Sequence, residues 1–312
     1  MGILLRWCQF IKERFNPLAN TITIAAFFSA NAAIAYMYYP SEFQRNNIAI
    51  LTGFLLVWLI FFHMRLFDDI KDFEIDKLVN KERPLPRGLL NTTEYGFGIL
   101  LCIITEIILA CSLGWKILFS YILVLAFTLI MRLEFFIGDW LRPKMELYAV
   151  THTLSASLTG LLIYSMSAGY AIFELPKVLF FLTLCNWFVF NVYEFGRKTF
   201  GVEEEREGVD SYSRRLKPVG AFLLLSSNMM LAFIIFFLSI KYISVTHILI
   251  KSQGINLLQI LIGSITLTVA FFGIKYSFKP EKFFAQLYRN VVSLYLVLFY
   301  LTIPVITFIF FR

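Results

Sequence analysis

Apolar side chains run almost unbroken over nine stretches of this chain, roughly 18–39, 46–67, 93–113, 116–133, 147–168, 175–195, 219–242, 255–275 and 284–310, and the charged residues gather between them. Each stretch approaches or exceeds the about 20 residues that an α-helix needs to cross a bilayer. Runs this long and this continuous lack the alternation of lipid-facing strands, which excludes a closed barrel. The pattern predicts an all-α, polytopic membrane protein with nine transmembrane helices, read as a single domain over residues 1–312. The last stretch is long enough to tilt, or to kink at Pro304. Residues 1–16 read as an interfacial lead-in to the first span, without the cleavage pattern of a secretory signal.

Composition supports this pattern. Hydrophobic residues make up 59% of the 312 positions and charged residues only 16%, against about 25% charged in soluble domains. The formal charge of +7 raises a nucleic-acid partner, but the basic residues sit in short loops between spans, where their retention on the cytoplasmic side explains them. With the N-terminus inside, 22 of the 28 Lys and Arg fall on the cytoplasmic side, leaving Arg45, Lys116, Lys177, Lys241, Lys251 and Arg312 opposite. This asymmetry predicts an integral membrane protein, N-terminus inside and C-terminus outside, with lipid and no nucleic acid as partner, and the Lys-, Phe- and Ile-rich composition is compatible with a bacterial cytoplasmic membrane. Cys8, Cys102, Cys111 and Cys185 show no metal-ligand spacing, so neither a disulfide nor a thiolate site is expected.

The densest chemistry lies at the end of the second span, in Arg65-Leu66-Phe67-Asp68-Asp69-Ile70-Lys71-Asp72-Phe73-Glu74-Ile75-Asp76. On a helix, Asp68, Asp72 and Asp76 stack along one face with Asp69 beside them. Like charges in that register call for a counter-ion, and Mg²⁺, held by one or two carboxylates plus water and phosphate, suits such a row. The plain alternative is a solvated acidic helix end paired with Lys71 and Lys77. Asn80-Lys81-Glu82-Arg83-Pro84-Leu85-Pro86-Arg87-Gly88 follows, a turn that presents Arg83 and Arg87 beside the acids. Guanidinium binds phosphate through two nitrogens, so acids and turn together read as a magnesium-diphosphate site.

This segment resembles the first signature of the UbiA superfamily of intramembrane prenyltransferases, N-D-x-x-D-x-x-x-D followed by R-P-x-P-x-G. Asp68 stands in the usual Asn place, Asp69, Asp72 and Asp76 match the acidic positions, and Arg83, Pro84, Pro86 and Gly88 match the turn. The superfamily's second signature departs here. The region reads Asn191-Val192-Tyr193-Glu194-Phe195-Gly196-Arg197-Lys198, with Lys198 near the place of an Asp and an acidic cluster shifted to Glu203–Glu205. Gly208 and Ser211 fit the motif's tail.

The resemblance implies nine helices around a central cavity, capped by cytoplasmic loops that face each other over an isoprenyl diphosphate. It implies metal ligation by Asp68, Asp69, Asp72, Asp76, Asn191 and Glu194, diphosphate contacts from Lys71, Arg83, Arg87, Arg197 and Lys198, and catalytic roles for Asp68, Asp72, Asp76 and Glu194. The implied reaction is Mg²⁺-dependent prenyl transfer to a lipophilic, aromatic acceptor. Cyclisation to a terpene without an acceptor stays open as the alternative, and a transporter lined by the carboxylates is the reading from another class. Against transport, the charges cluster in loops and not at the bilayer midplane.

Several single residues remain. His63 and His152 read as satisfied interior imidazoles, while Glu106 and Asn186 are polar groups inside spans and candidates to line a cavity. Tyr193 is a candidate to orient substrate or take up a proton. Glu205 and Glu207 read as a solvated loop.

Overall fold

The computed structural model describes residues 2–246 and 252–310. Lys251 and Arg312, which entered the charge asymmetry above, lie outside the described residues. The described elements are helical throughout. The chain opens with α1 (Ile3–Arg14), followed by α2 (Pro17–Tyr38), α3 (Asn47–Lys71), α4 (Phe73–Val79), α5 (Thr92–Ser112) and α6 (Trp115–Arg132). Next come the short α7 (Gly138–Leu141), then α8 (Met145–Thr153), α9 (Ser155–Ala168), α10 (Lys177–Arg197), α11 (Tyr212–Thr246), α12 (Ser252–Phe278) and α13 (Lys282–Phe310). Among the described residues, eight of these helices are long and apolar enough to cross a membrane. The protein is an all-α, polytopic integral membrane protein.

The fifth expected span, 147–168, is two helices, α8 and α9, of 9 and 14 residues. At the division the Leu154 N–H turns to the His152 carbonyl, and the carbonyl one turn back, of Val150, is taken by other donors. Thr151 Oγ1 donates to the carbonyls of Leu147 and Tyr148, Thr153 Oγ1 to those of Ala149 and Val150, and Ser155 Oγ to that of His152. Trp187 Nε1 also takes the Val150 carbonyl, at 2.6 Å. By contrast, α13 runs through Pro304 as one helix. In α11 the break falls at Lys217, with φ 62° and ψ 164°, directly before Pro218. A residue preceding proline is disfavoured in the α region, and a positive φ adds strain for a side chain with a Cβ.

The chain gathers into two compact units, residues 1–25 with 44–138, and residues 26–43 with 139–312. In the first unit α3 packs on α5 and α6. α1 closes on them through Phe10, which is fully buried and meets Trp7, Phe62 and Tyr95 edge to face. The interior of this unit carries a polar chain across the three long helices. His63 Nδ1 lies 2.7 Å from Glu106 Oε1, Tyr121 donates its hydroxyl to Glu106 Oε2 at 2.7 Å, and His63 Nε2 lies 3.3 Å from Thr128 Oγ1.

In the second unit α10 is the hub, packed against α8, α9, α11 and α13. Asn186, on α10, donates to Asn31 Oδ1 at 2.9 Å and accepts from the Tyr300 hydroxyl at 3.1 Å. Gly160 makes room for this contact: a Cβ there would stand 2.3 Å from Asn186 Nδ2. Asn186 is thus an interhelical tie, and both His63 and Glu106 are satisfied interior groups that partner each other.

Candidate functional site

The acidic motif begins in the last turn of α3 and continues into α4. Asp72 is the joint, with φ −85° and ψ 0°. The hydrogen-bond ladder nevertheless carries across it, from Asp72 N–H to Asp68 O (2.9 Å), Asp76 N–H to Asp72 O (2.8 Å) and Asn80 N–H to Asp76 O (2.8 Å). An unbroken four-residue ladder keeps Asp68, Asp72 and Asp76 on one side of the helix.

The four acids have different surroundings. Asp69 is 4% exposed and accepts from Arg14 Nη2 (2.6 Å) and Nε (3.1 and 3.2 Å), from Arg65 Nη2 (2.8 Å) and from the Tyr95 hydroxyl (3.3 Å). Asp76 is buried, with Arg83 Nη1 within 2.7 Å of both its oxygens and Asn80 Nδ2 at 2.9 Å. Asp68 is the most exposed, its side chain 45% accessible and 3.2 Å from Lys71 Nζ. Asp72 is half-buried; burial pushes its carboxyl up, Lys71 pulls it down, and the charges of Asp68 and Asp76 push it up again. Among the described residues no guanidinium forms an ion pair with Asp68 or Asp72.

The turn after α4 is built as its residues dictate. Arg83 N–H reaches Asn80 O, Arg87 N–H reaches Arg83 O, Leu89 N–H reaches Pro84 O, and Gly88 takes φ 76°, a conformation that favours glycine. Arg87 does not face the acids: its Nη2 meets Glu13 of α1 at 2.8 Å and its Nη1 the Glu82 carbonyl. That contact holds the Glu13 carboxyl below its usual range and raises the Arg87 guanidinium.

In the second unit, Glu194 is closed over by Arg197, through Nε and Nη2, and by Lys198 Nζ at 3.2 Å. Asn191 donates to Asn228 Oδ1 at 3.1 Å and accepts from the Thr153 hydroxyl. Tyr193 lies on an exposed face. The Glu run is only partly a solvated loop. Glu207 is exposed, but Glu205 accepts from Ser211 and Ser213, Glu204 is paired with Arg289 at 2.6 Å, and Glu203 accepts from the Lys282 N–H. Three acids of this run are loop anchors because buried hydroxyls and the start of α13 supply donors within reach.

Motif reading did not find Arg14, Tyr95 or Arg65's contact with Asp69. Arg14 is 55 positions from its partner, and only the docking of α1 joins them. Arg65 carries a further feature: its Nε–H is buried with no hydrogen-bond partner.

Among the described residues, no three His, Cys, Asp or Glu side chains converge as a metal cage. The donors at the Asp68–Asp72 face are carboxylate oxygens in a pair. That set fits a hard cation such as Mg²⁺, which takes one or two carboxylates and completes its shell with water and phosphate oxygen, and it does not fit a fully protein-held ion.

No protein-family model and no curated protein matches the chain. Solved structures do. The fold is similar to that of a UbiA homologue from Aeropyrum pernix K1 (TM-score 0.65, 14% identity, 91% of this chain and 96% of that one). It is also similar to a digeranylgeranylglyceryl phosphate synthase (0.57, 16%, 91% and 97%) and to a UbiA homologue from Archaeoglobus fulgidus bound to GPP and Mg²⁺ (0.55, 13%, 92% and 98%). At these identities the likeness is one of fold: the chain has the helical architecture of UbiA-type membrane proteins over nearly its whole length.

Proposed function

We propose that the protein is a Mg²⁺-dependent intramembrane prenyltransferase, which ionises an isoprenyl diphosphate and passes the prenyl group to a lipophilic aromatic acceptor. The observation that carries this reading is the acid row of Asp68, Asp72 and Asp76, joined to a guanidinium turn through Asp76 and Arg83. It occurs in a fold shared with a homologue that binds GPP and Mg²⁺. In this reading α8 and α9 together make the ninth crossing, the N-terminus is inside and the C-terminus outside.

Asp68 and Asp72 hold the cation. Asp76 sets Arg83 beside them, and Lys71 and Arg83 bind the diphosphate. Bound there, the cation neutralises charge on the departing diphosphate. The basic side chains do the same by hydrogen bonding, which lowers the cost of heterolysis at the allylic C–O bond. The carbon cation is then captured by the acceptor, which loses a proton.

The test is incubation of the full chain in lipid or detergent with Mg²⁺ and geranyl, farnesyl or geranylgeranyl diphosphate, with and without an aromatic acceptor. Diphosphate release that needs the acceptor, and is lost in Asp72→Ala and Asp76→Ala, is the expected result. Release with a hydrocarbon product and no acceptor would reassign the protein as a terpene cyclase, and no turnover under any condition would overturn the reading.

A further inference from the structure

We propose that Arg14 is a positioning residue for the acid row and that Asp69 is its anchor, not a ligand of the cation. The inference rests on the site reading above. It starts from saturation: a carboxylate offers about four acceptor positions, and those of Asp69 are taken by two guanidiniums and a phenol. Two positive charges against one negative leave no attraction for a further cation. Asp68 and Asp72 differ in this respect, having no guanidinium in contact.

The anchor matters because neighbouring positions on a helix point roughly 100° apart. Holding the Asp69 side chain inward fixes the rotation of the last turn of α3. That rotation directs Asp68 outward and sets Asp72, one turn on, beneath it. The hydrogen-bond ladder keeps the turn helical across the Asp72 joint, and the Asp69 contacts fix which way that turn faces.

Arg14 can serve only if α1 is itself immobile, and four contacts make it so. Arg6 meets Glu94 through two nitrogens (2.5 and 3.0 Å). Phe10 is buried among aromatic rings. Trp7 lies so close over α5 that a Cβ on Gly98 would stand 2.6 Å from its ring. Glu13 takes Arg87. The same helix thus grips the motif at both its acid and its turn, through adjacent residues. The lead-in read from sequence is a clamp.

The experiment measures Mn²⁺ binding with inorganic diphosphate by electron paramagnetic resonance, on the full chain in detergent, with a melting curve taken without metal for each variant. Asp72→Ala, the ligand control, abolishes binding. Arg14→Gln and Asp69→Asn each weaken it about tenfold, the scale for residues that orient a ligand, and the double variant is no weaker than either single one because the two act as a pair. Arg14→Lys keeps the charge without the forked geometry; it shows a smaller loss in the same direction and serves if Arg14→Gln does not fold. Wild-type binding with unchanged binding in Arg14→Gln and Arg14→Lys would overturn the positioning role alone. Loss in Asp69→Asn equal to that in Asp72→Ala, with Arg14→Gln mild, would make Asp69 a ligand. No Mn²⁺ binding by the wild type would overturn the site reading itself, and this proposal with it.

Discussion

Arg83 places one guanidinium nitrogen 2.7 and 2.6 Å from the two oxygens of Asp76 and so ties the proline-flanked turn to the acid row. The acid is nearly inaccessible while the arginine is about one-third exposed. The pair therefore reaches from the interior to the surface, and its two ends respond differently to mutation.

Arg83→Ala leaves a buried carboxylate with Asn80 alone, and is expected to destabilise the protein by roughly 2–3 kcal/mol. Adding Asp76→Asn removes the uncompensated charge and restores part of that loss. Thermal unfolding in detergent of the two single variants and the double one measures the coupling; strict additivity would show that the pair is not coupled.

The His63–Glu106 contact is fully enclosed, both side chains having 0% exposure. Glu106→Leu strands the imidazole and the Tyr121 hydroxyl together and is expected to cost about 3 kcal/mol or more. Glu106→Gln retains an acceptor and a donor and costs less. Unfolding midpoints of the two variants check the order.

Gly160→Ala drives a methyl group into Asn186 Nδ2. Overpacking of this kind costs about 1–3 kcal/mol, and here it also disturbs the contacts of Asn186 with Asn31 and Tyr300. Pairing it with Asn186→Ala should be milder than adding the two losses, because the shortened side chain vacates the space. Melting curves of the single and paired variants decide it.

Arg289 holds the Glu204 carboxyl below its ordinary value of 4.5, helped by the Gly201 N–H and Gln286 and opposed by partial burial. A carboxyl lowered in the folded state contributes stability above its unfolded pKa, and that contribution is lost as pH falls through the lower folded value. Stability should therefore decline below about pH 4.5, and Arg289→Ala should flatten that decline while lowering stability at neutral pH. Unfolding midpoints of both proteins across that range test the sign.

Apolar run length alone located eight of the long helices, from Pro17–Tyr38 to Lys282–Phe310, within a few residues, apart from α11, which begins seven residues before the expected 219. The reason is that backbone groups in lipid must be satisfied within their own segment, so a span is a local property. The ladder through Asp68, Asp72 and Asp76 was legible on the same ground, being set by helical period. The division at Leu154 was not legible: Ser and Thr contacts of the same kind run along the unbroken α12, and what differs here is Trp187 of α10 on the Val150 carbonyl.

Tertiary structure alone decided which polar groups meet. Asp69 looked the equal of its neighbours until α1 brought Arg14 against it from 55 positions away, and Glu106 had no assignable role until α5 turned it toward His63, 43 positions distant. Helix rotation and docking settle such pairs, because each apolar helix tolerates many rotations in lipid and only packing against its neighbours selects one.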